Sequence, residues 1–197
     1  MIMEQLKSET KEAHQSLEKL LIPFIKQTKS TEAYSKLLEM FYGYMKPVED
    51  LIDNNVDAAK VPMYSQRRKA QTLIDDLQHW DNNTTPELST ELPTITNHNQ
   101  AIGAMYVFEG STLGGKVINK ILMTNLGKED AAGFSFYNGY GDHTHAMWGA
   151  FTEALNKAEM DEQARLEIVA AANDTFTQFE NWAAKTLVPT KATENAE

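Results

Sequence analysis

The stretch YVFEGSTLGGKVINKIL, Tyr106 to Leu122, decides how this chain is read. Its apolar residues recur at helical spacing, yet Gly110, Gly114 and Gly115 interrupt them. Each interior glycine costs a helix roughly 1 kcal/mol relative to alanine, so this cluster needs a compensating contact. The missing Cβ atoms let something flat or bulky approach the backbone. A second helix packed through small residues uses the same spacing, and the spacing alone does not separate the two.

A third use of the stretch fails on inspection. Gly110 to Lys116 satisfies the G-x-x-x-x-G-K part of a phosphate-binding loop, but Val117 stands where that motif needs a hydroxyl for magnesium. The alternating strands and helices that would build the required parallel sheet are also missing from the pattern.

Outward from this stretch, helical periods run almost everywhere. Leu6, Ala13, Leu17, Leu20 and Leu21 mark a first helix from Met3 to about Ile22, with Pro23 as a kink or end. Ser30 caps a second, Ala33 to Ile52, with Pro47 as a kink point. A third spans Met63 to Trp80, and residues 81 to 93 form an irregular loop. The glycine-bearing helix extends from about Asn97 to Leu126 and stops at Gly127. GFSFYNG, Gly133 to Gly139, breaks the period and is expected to be an ordered loop. Asp142 caps a fifth helix to about Lys157, and Asp161-Glu162 opens a sixth that carries Phe176, Phe179 and Trp182. The pattern predicts one all-α domain over residues 1–185, followed by a loose tail, 186–197.

Composition removes several function classes. The 197 residues contain no cysteine, which excludes disulfides, thiolate metal sites and cysteine nucleophiles. A net charge of −10 argues against nucleic acid as a partner. No run approaches the roughly 20 apolar residues of a membrane span, and MIMEQLKSETKEAH lacks the apolar core of a signal peptide. A cytoplasmic protein is expected.

One further face is chemically suggestive. Lys7, Lys11, His14 and Glu18 follow one another at steps of four, three and four, so they share one side of the first helix. A half-solvated histidine among surface charges is one interpretation. The other makes His14 an axial iron ligand, oriented by Glu18, with the lysines binding carboxylates of a macrocycle.

Taken in order, these segments resemble the haem oxygenase family over most of the chain. LKSETKEAH is similar to that family's proximal-helix signature, and GSTLGG to its distal helix in the bacterial biliverdin-producing branch. FYGYMKPVEDLI, QRRKAQTLIDDL, GFSFYN and TFTQFENW follow in the family's order. The resemblance implies a single-domain multi-helix fold with haem between the proximal and distal helices. It assigns His14 to the iron, Lys7 and Lys11 to the propionates, and Gly110, Gly114 and Gly115 to the haem face. It implies cleavage of haem, both substrate and prosthetic group, to biliverdin, carbon monoxide and ferrous iron, with dioxygen and an external electron donor such as a ferredoxin or reductase. A haem carrier or sensor on the same fold is the alternative. Two positions depart from the pattern. Ser111, followed by Thr112, stands where many members carry a distal aspartate, so these hydroxyls inherit the ordering of water. Thr152 stands near an expected arginine, with His143 and His145 as nearby polar groups.

Overall fold

The computed structural model describes residues 1–187, which contain α-helices, short 3-10 turns and no strand. The helices are α1 (Ile2–Glu9), α2 (Lys11–Gln27), α3 (Thr31–Asn55), α4 (Gln71–His79), α5 (His98–Leu126), α6 (Ser135–Asn138), α7 (Thr144–Lys157) and α8 (Glu162–Leu187). The all-α single-domain expectation holds. No helix among the described residues is long and apolar enough to cross a membrane.

Helix α5 forms as the pattern demands. The Asn97 side chain accepts from Gln100 N at its start, and Gly127 takes a left-handed φ of 63° at its end. The helix packs most extensively on α8. A Cβ built on Gly103 would lie 2.3 Å from the Ile168 carbonyl oxygen, so only glycine allows the two backbones this close. Asn99 Nδ2 donates to Glu167 at 2.9 Å, and the next turns of both helices continue in the same direction. Helix α3 closes the core from the other side. Tyr44 stacks on Phe179 at 4.7 Å and donates to Thr175 O, while Trp182 Nε1 donates to Met40 O. These polar tips are satisfied, so the large aromatic surfaces stabilise the core without leaving unpaired donors.

Several boundaries differ from the periodic pattern, each for a local reason. The first helix is broken at Thr10, whose hydroxyl donates to Leu6 O at 2.7 Å, a back-bond that bends helices. Pro23 and Pro47 lie inside α2 and α3 and end neither. The expected helix from Met63 to Trp80 is corrected to a 3-10 turn, Tyr64–Gln66, followed by α4. Arg67 has extended backbone here, and the two arginines that follow the turn have tertiary partners described below. The aromatic loop contains the one-turn α6. Asp76 accepts from Ser135 N and Phe136 N, both at 2.8 Å, and Tyr34 and Trp80 both donate to Gly133 O. The 3-10 turn Gly141–His143 precedes α7, and Asp142 does not cap it. Helix α8 runs on through Thr186 and Leu187, the first two residues of the expected tail. Its remainder, 188–197, lies outside the described residues.

Candidate haem site

The three diagnostic glycines of α5 face different surroundings. Around Gly114 nothing lies within 4 Å of a built Cβ, and around Gly110 only the Trp148 ring does, at 3.6 Å. Leu113 is 38% exposed and Val117 66%. Positions 110, 113, 114 and 117 share one helical face, so α5 presents an open apolar stripe floored partly by bare backbone. Gly115 faces the other way. Its Cβ would meet the Tyr137 carbonyl oxygen at 2.2 Å, so this glycine is required for packing against the aromatic segment.

Helices α2 and α5 meet at their C-terminal ends, where Asn125 Nδ2 reaches the Ile25 and Lys26 carbonyls at 3.5 and 3.1 Å. His14 lies eleven residues before Ile25, and Gly114 eleven before Asn125. At 1.5 Å per residue each is about 16 Å back from that junction. Both helices run alongside α8 in the same sense. On α2, Ser16 Oγ donates to Glu180 at 2.7 Å and the His14 ring packs on Phe176 at a centroid distance of 5.3 Å. His14 Nε2 lies 3.5 Å from Glu18 Oε1, the neighbour expected to orient the ring. The imidazole is half exposed. Lys7 and Lys11 are exposed on α1 and α2, across the Thr10 bend. Helix α7 adds Trp148 beside Gly110 and Tyr106. Thr152 spends its hydroxyl on Gly149 O, and His143 and His145 are exposed at the start of this helix.

The two distal hydroxyls part company. Thr112 is 2% exposed on the side of α5 away from the open stripe, and its Oγ1 donates to Glu109 O at 2.6 Å. Its assignment to water in the pocket is corrected, because the side chain is buried and its hydroxyl is bonded within its own helix, with Cβ and Cγ2 toward Gly139. Ser111 is exposed, about 60° around the helix from Gly114. Its Oγ donates to Phe108 O and accepts from Arg68 Nη2, both at 2.7 Å.

Behind this turn lies a network that periodicity did not disclose. Arg67 Nη1 pairs with Glu109 Oε2 at 2.7 Å and also donates to Met147 O. Tyr140 OH lies 2.9 and 3.0 Å from the two Glu109 oxygens and receives Arg68 N at 2.8 Å. Burial beside that carboxylate pushes the Tyr140 phenol up to about 12, so it stays a donor. Arg68 lies 4.3 Å over the Phe136 ring and donates to Phe108 O and Phe136 O. Burial lowers the Arg68 pKa from its ordinary value, opposed by the Glu109 charge. In the sequence the only signal was an Arg-Arg pair inside QRRKAQTLIDDL, whose partners lie some forty residues away.

The exposed groups are of the kinds a flat, apolar, anionic ligand with a metal centre would need: an open stripe on α5, a half-exposed imidazole on α2, and exposed lysines on α1 and α2. Among the described residues no three His, Cys, Asp or Glu side chains cluster to hold a bare ion, whereas a macrocycle brings most of its own donors. A separate open cleft of about 510 Å³ between the start of α3 and residues 80–84 shares no residue with this face.

The fold defines an all-helical single-domain class, and comparison with known proteins makes it specific. A family model for heme oxygenase matches residues 1–185, and the chain belongs to the haem oxygenase family. The solved heme oxygenase of Neisseria meningitidis, in its NO- and CO-bound forms, superposes with a TM-score of 0.81 at 24% identity, covering 100% of this chain and 97% of that one. The enzyme of Leptospira interrogans gives 0.78 at 18%, covering 93% and 98%. Heme oxygenase-1 of the cyanobacterium Synechocystis sp. PCC6803, in complex with heme, gives 0.75 at 19%, covering 93% and 91%. No curated protein matches the sequence.

Proposed function

We propose that this chain cleaves haem to biliverdin, carbon monoxide and ferrous iron, using dioxygen and electrons from an external ferredoxin or reductase. The observation that carries this is the open Gly110–Leu113–Gly114–Val117 stripe on α5, with a half-exposed His14 on α2, in a chain that belongs to the haem oxygenase family. Bound haem supplies both the redox-active iron and the ring that is opened.

The chain's own residues seat and orient it. His14 would hold the iron through an imidazole nitrogen, with Glu18 within reach of the ring to orient it. A neutral nitrogen ligand suits oxygen chemistry at the ring better than a thiolate, which promotes O–O cleavage. Lys7 and Lys11 hold the propionates by charge-assisted hydrogen bonds. Gly110 and Gly114 let the macrocycle approach the α5 backbone and exclude water from that face, while Leu113 and Val117 cover its apolar edge. Ser111 keeps a hydroxyl at the rim where water can be ordered and a proton passed. A reducing cytoplasm suits the required electron supply.

A haem carrier or sensor is the second reading, favoured by Ser111 where a carboxylate is common. The two separate in one experiment. Haemin is titrated into the protein and a Soret band sought at one equivalent, then reductant is added in air. Release of biliverdin and iron supports the oxygenase. A stable complex without bilin supports the carrier, and no Soret band removes both.

A further inference from the structure

We propose that Arg68 is a positioning residue that sets the charge of the distal side: it holds Ser111 and places an uncompensated cation beside the haem face, in the place of the carboxylate many relatives carry. This inference rests on the proposed haem site and adds to it an anion preference on the distal face.

Two consecutive arginines dock on one turn of α5 and are treated oppositely by the fold. Arg67 is 4% exposed and has a full counter-charge in Glu109, itself 4% exposed. Arg68 is half-buried, and its guanidinium contacts are all neutral: Ser111 Oγ at 2.7 Å, Phe108 O at 3.0 Å, Phe136 O at 3.3 Å and the face of the Phe136 ring. Among the described residues no carboxylate forms a salt bridge with it, the nearby Glu109 being paired with Arg67. The other ionisable groups around it are Glu109, already committed to Arg67 and Tyr140, together with Tyr137, Tyr140 and the more distant Glu49. A guanidinium cannot leave by deprotonation at neutral pH. Its charge is therefore expressed outward, through Ser111, toward the open side of α5.

A cation held there stabilises an anion bound at the distal face and disfavours a neutral ligand relative to it. It also fixes Ser111. With Arg68 donating to Oγ, the hydroxyl proton is the part left to move, now directed to Phe108 O and free to turn toward a water at the rim. Ser111→Asp would pair with Arg68 and cancel the charge without removing the arginine.

The test is azide affinity of the ferric haem complex, with the pH midpoint of its acid–alkaline colour change as a second reading. Arg68→Met and Ser111→Asp should each weaken azide by roughly tenfold and raise the midpoint by about one unit, the scale of a unit charge across several ångströms in a half-buried site. Arg68→Lys should stay near the parent in both. If Arg68→Met does not fold, Ser111→Asp decides alone, because it leaves every Arg68 bond to backbone in place. Unchanged azide affinity and midpoint in Ser111→Asp, with haem bound normally, overturns the proposal while leaving the haem site intact. Failure of the parent protein to take up haemin overturns the site itself, and the proposal with it.

Discussion

Arg67 on the segment after the Tyr64–Gln66 turn and Glu109 on α5 form a buried ion pair, Nη1 to Oε2 at 2.7 Å, that ties the distal helix to the α3–α4 connection. Two charges removed from water hold together only because the rest of their hydrogen bonding is met, by Pro62 O and Met147 O on the arginine and by Tyr140 on the carboxylate. Removing one member strands the other. Arg67→Met should therefore cost about 3–5 kcal/mol in a urea titration. The double variant Arg67→Met/Glu109→Leu should lose clearly less than the two single losses added together, and strict additivity would show that the pair is not coupled.

The glycines separate by what they face. Gly114→Ala meets open space and replaces glycine in a helix, so the apoprotein should gain up to ~1 kcal/mol. Haem uptake by that variant should weaken. Gly115→Ala drives a methyl into the Tyr137 carbonyl and should lose about 1–3 kcal/mol, seen as a lower Tm of the apoprotein. A raised Tm for Gly115→Ala would contradict the packing described here.

His14→Ala should lose the histidine-ligated spectrum of the haem complex, and added imidazole should partly restore it, since the cavity left by the ring is half open to solvent. An unchanged spectrum together with unchanged turnover would move the iron ligand elsewhere.

His98 carries the clearest pH dependence of stability. Its Nδ1 accepts from Asp57 N at 3.1 Å, which requires the neutral ring, and burial followed by the nearby Lys60 charge lowers its pKa from the ordinary value near 6.5. The folded state thus binds this proton less readily than the unfolded chain. The stabilisation is complete above about pH 6.5 and is lost as pH falls through the lowered value. Between pH 7 and pH 5 the parent should lose urea resistance faster than His98→Gln. Parallel pH profiles for the two proteins would assign the acid sensitivity to other groups.

Much of this protein is determined by local sequence. Periodic apolar residues, the Asn97 cap and Gly127 are enough to define α5, because hydrogen bonds within a helix depend on neighbours three and four residues away. The all-α class follows from the same rule, and so does the proximity of His14 and Glu18 on α2, whereas Lys7 lies on α1 across the Thr10 bend. Other properties depend on which segments meet. Gly114 and Gly115 are adjacent and chemically identical, yet one borders open space and the other the Tyr137 backbone. Ser111 and Thr112 are likewise adjacent hydroxyls, and a turn of about 100° per residue puts one at the rim and buries the other. Arg67 and Arg68 are adjacent and chemically identical, and no local pattern in the sequence marks their partners. One found Glu109 and the other Ser111 only because the fold places their segment against α5, across some forty residues of chain, and no local periodicity records a contact at that distance.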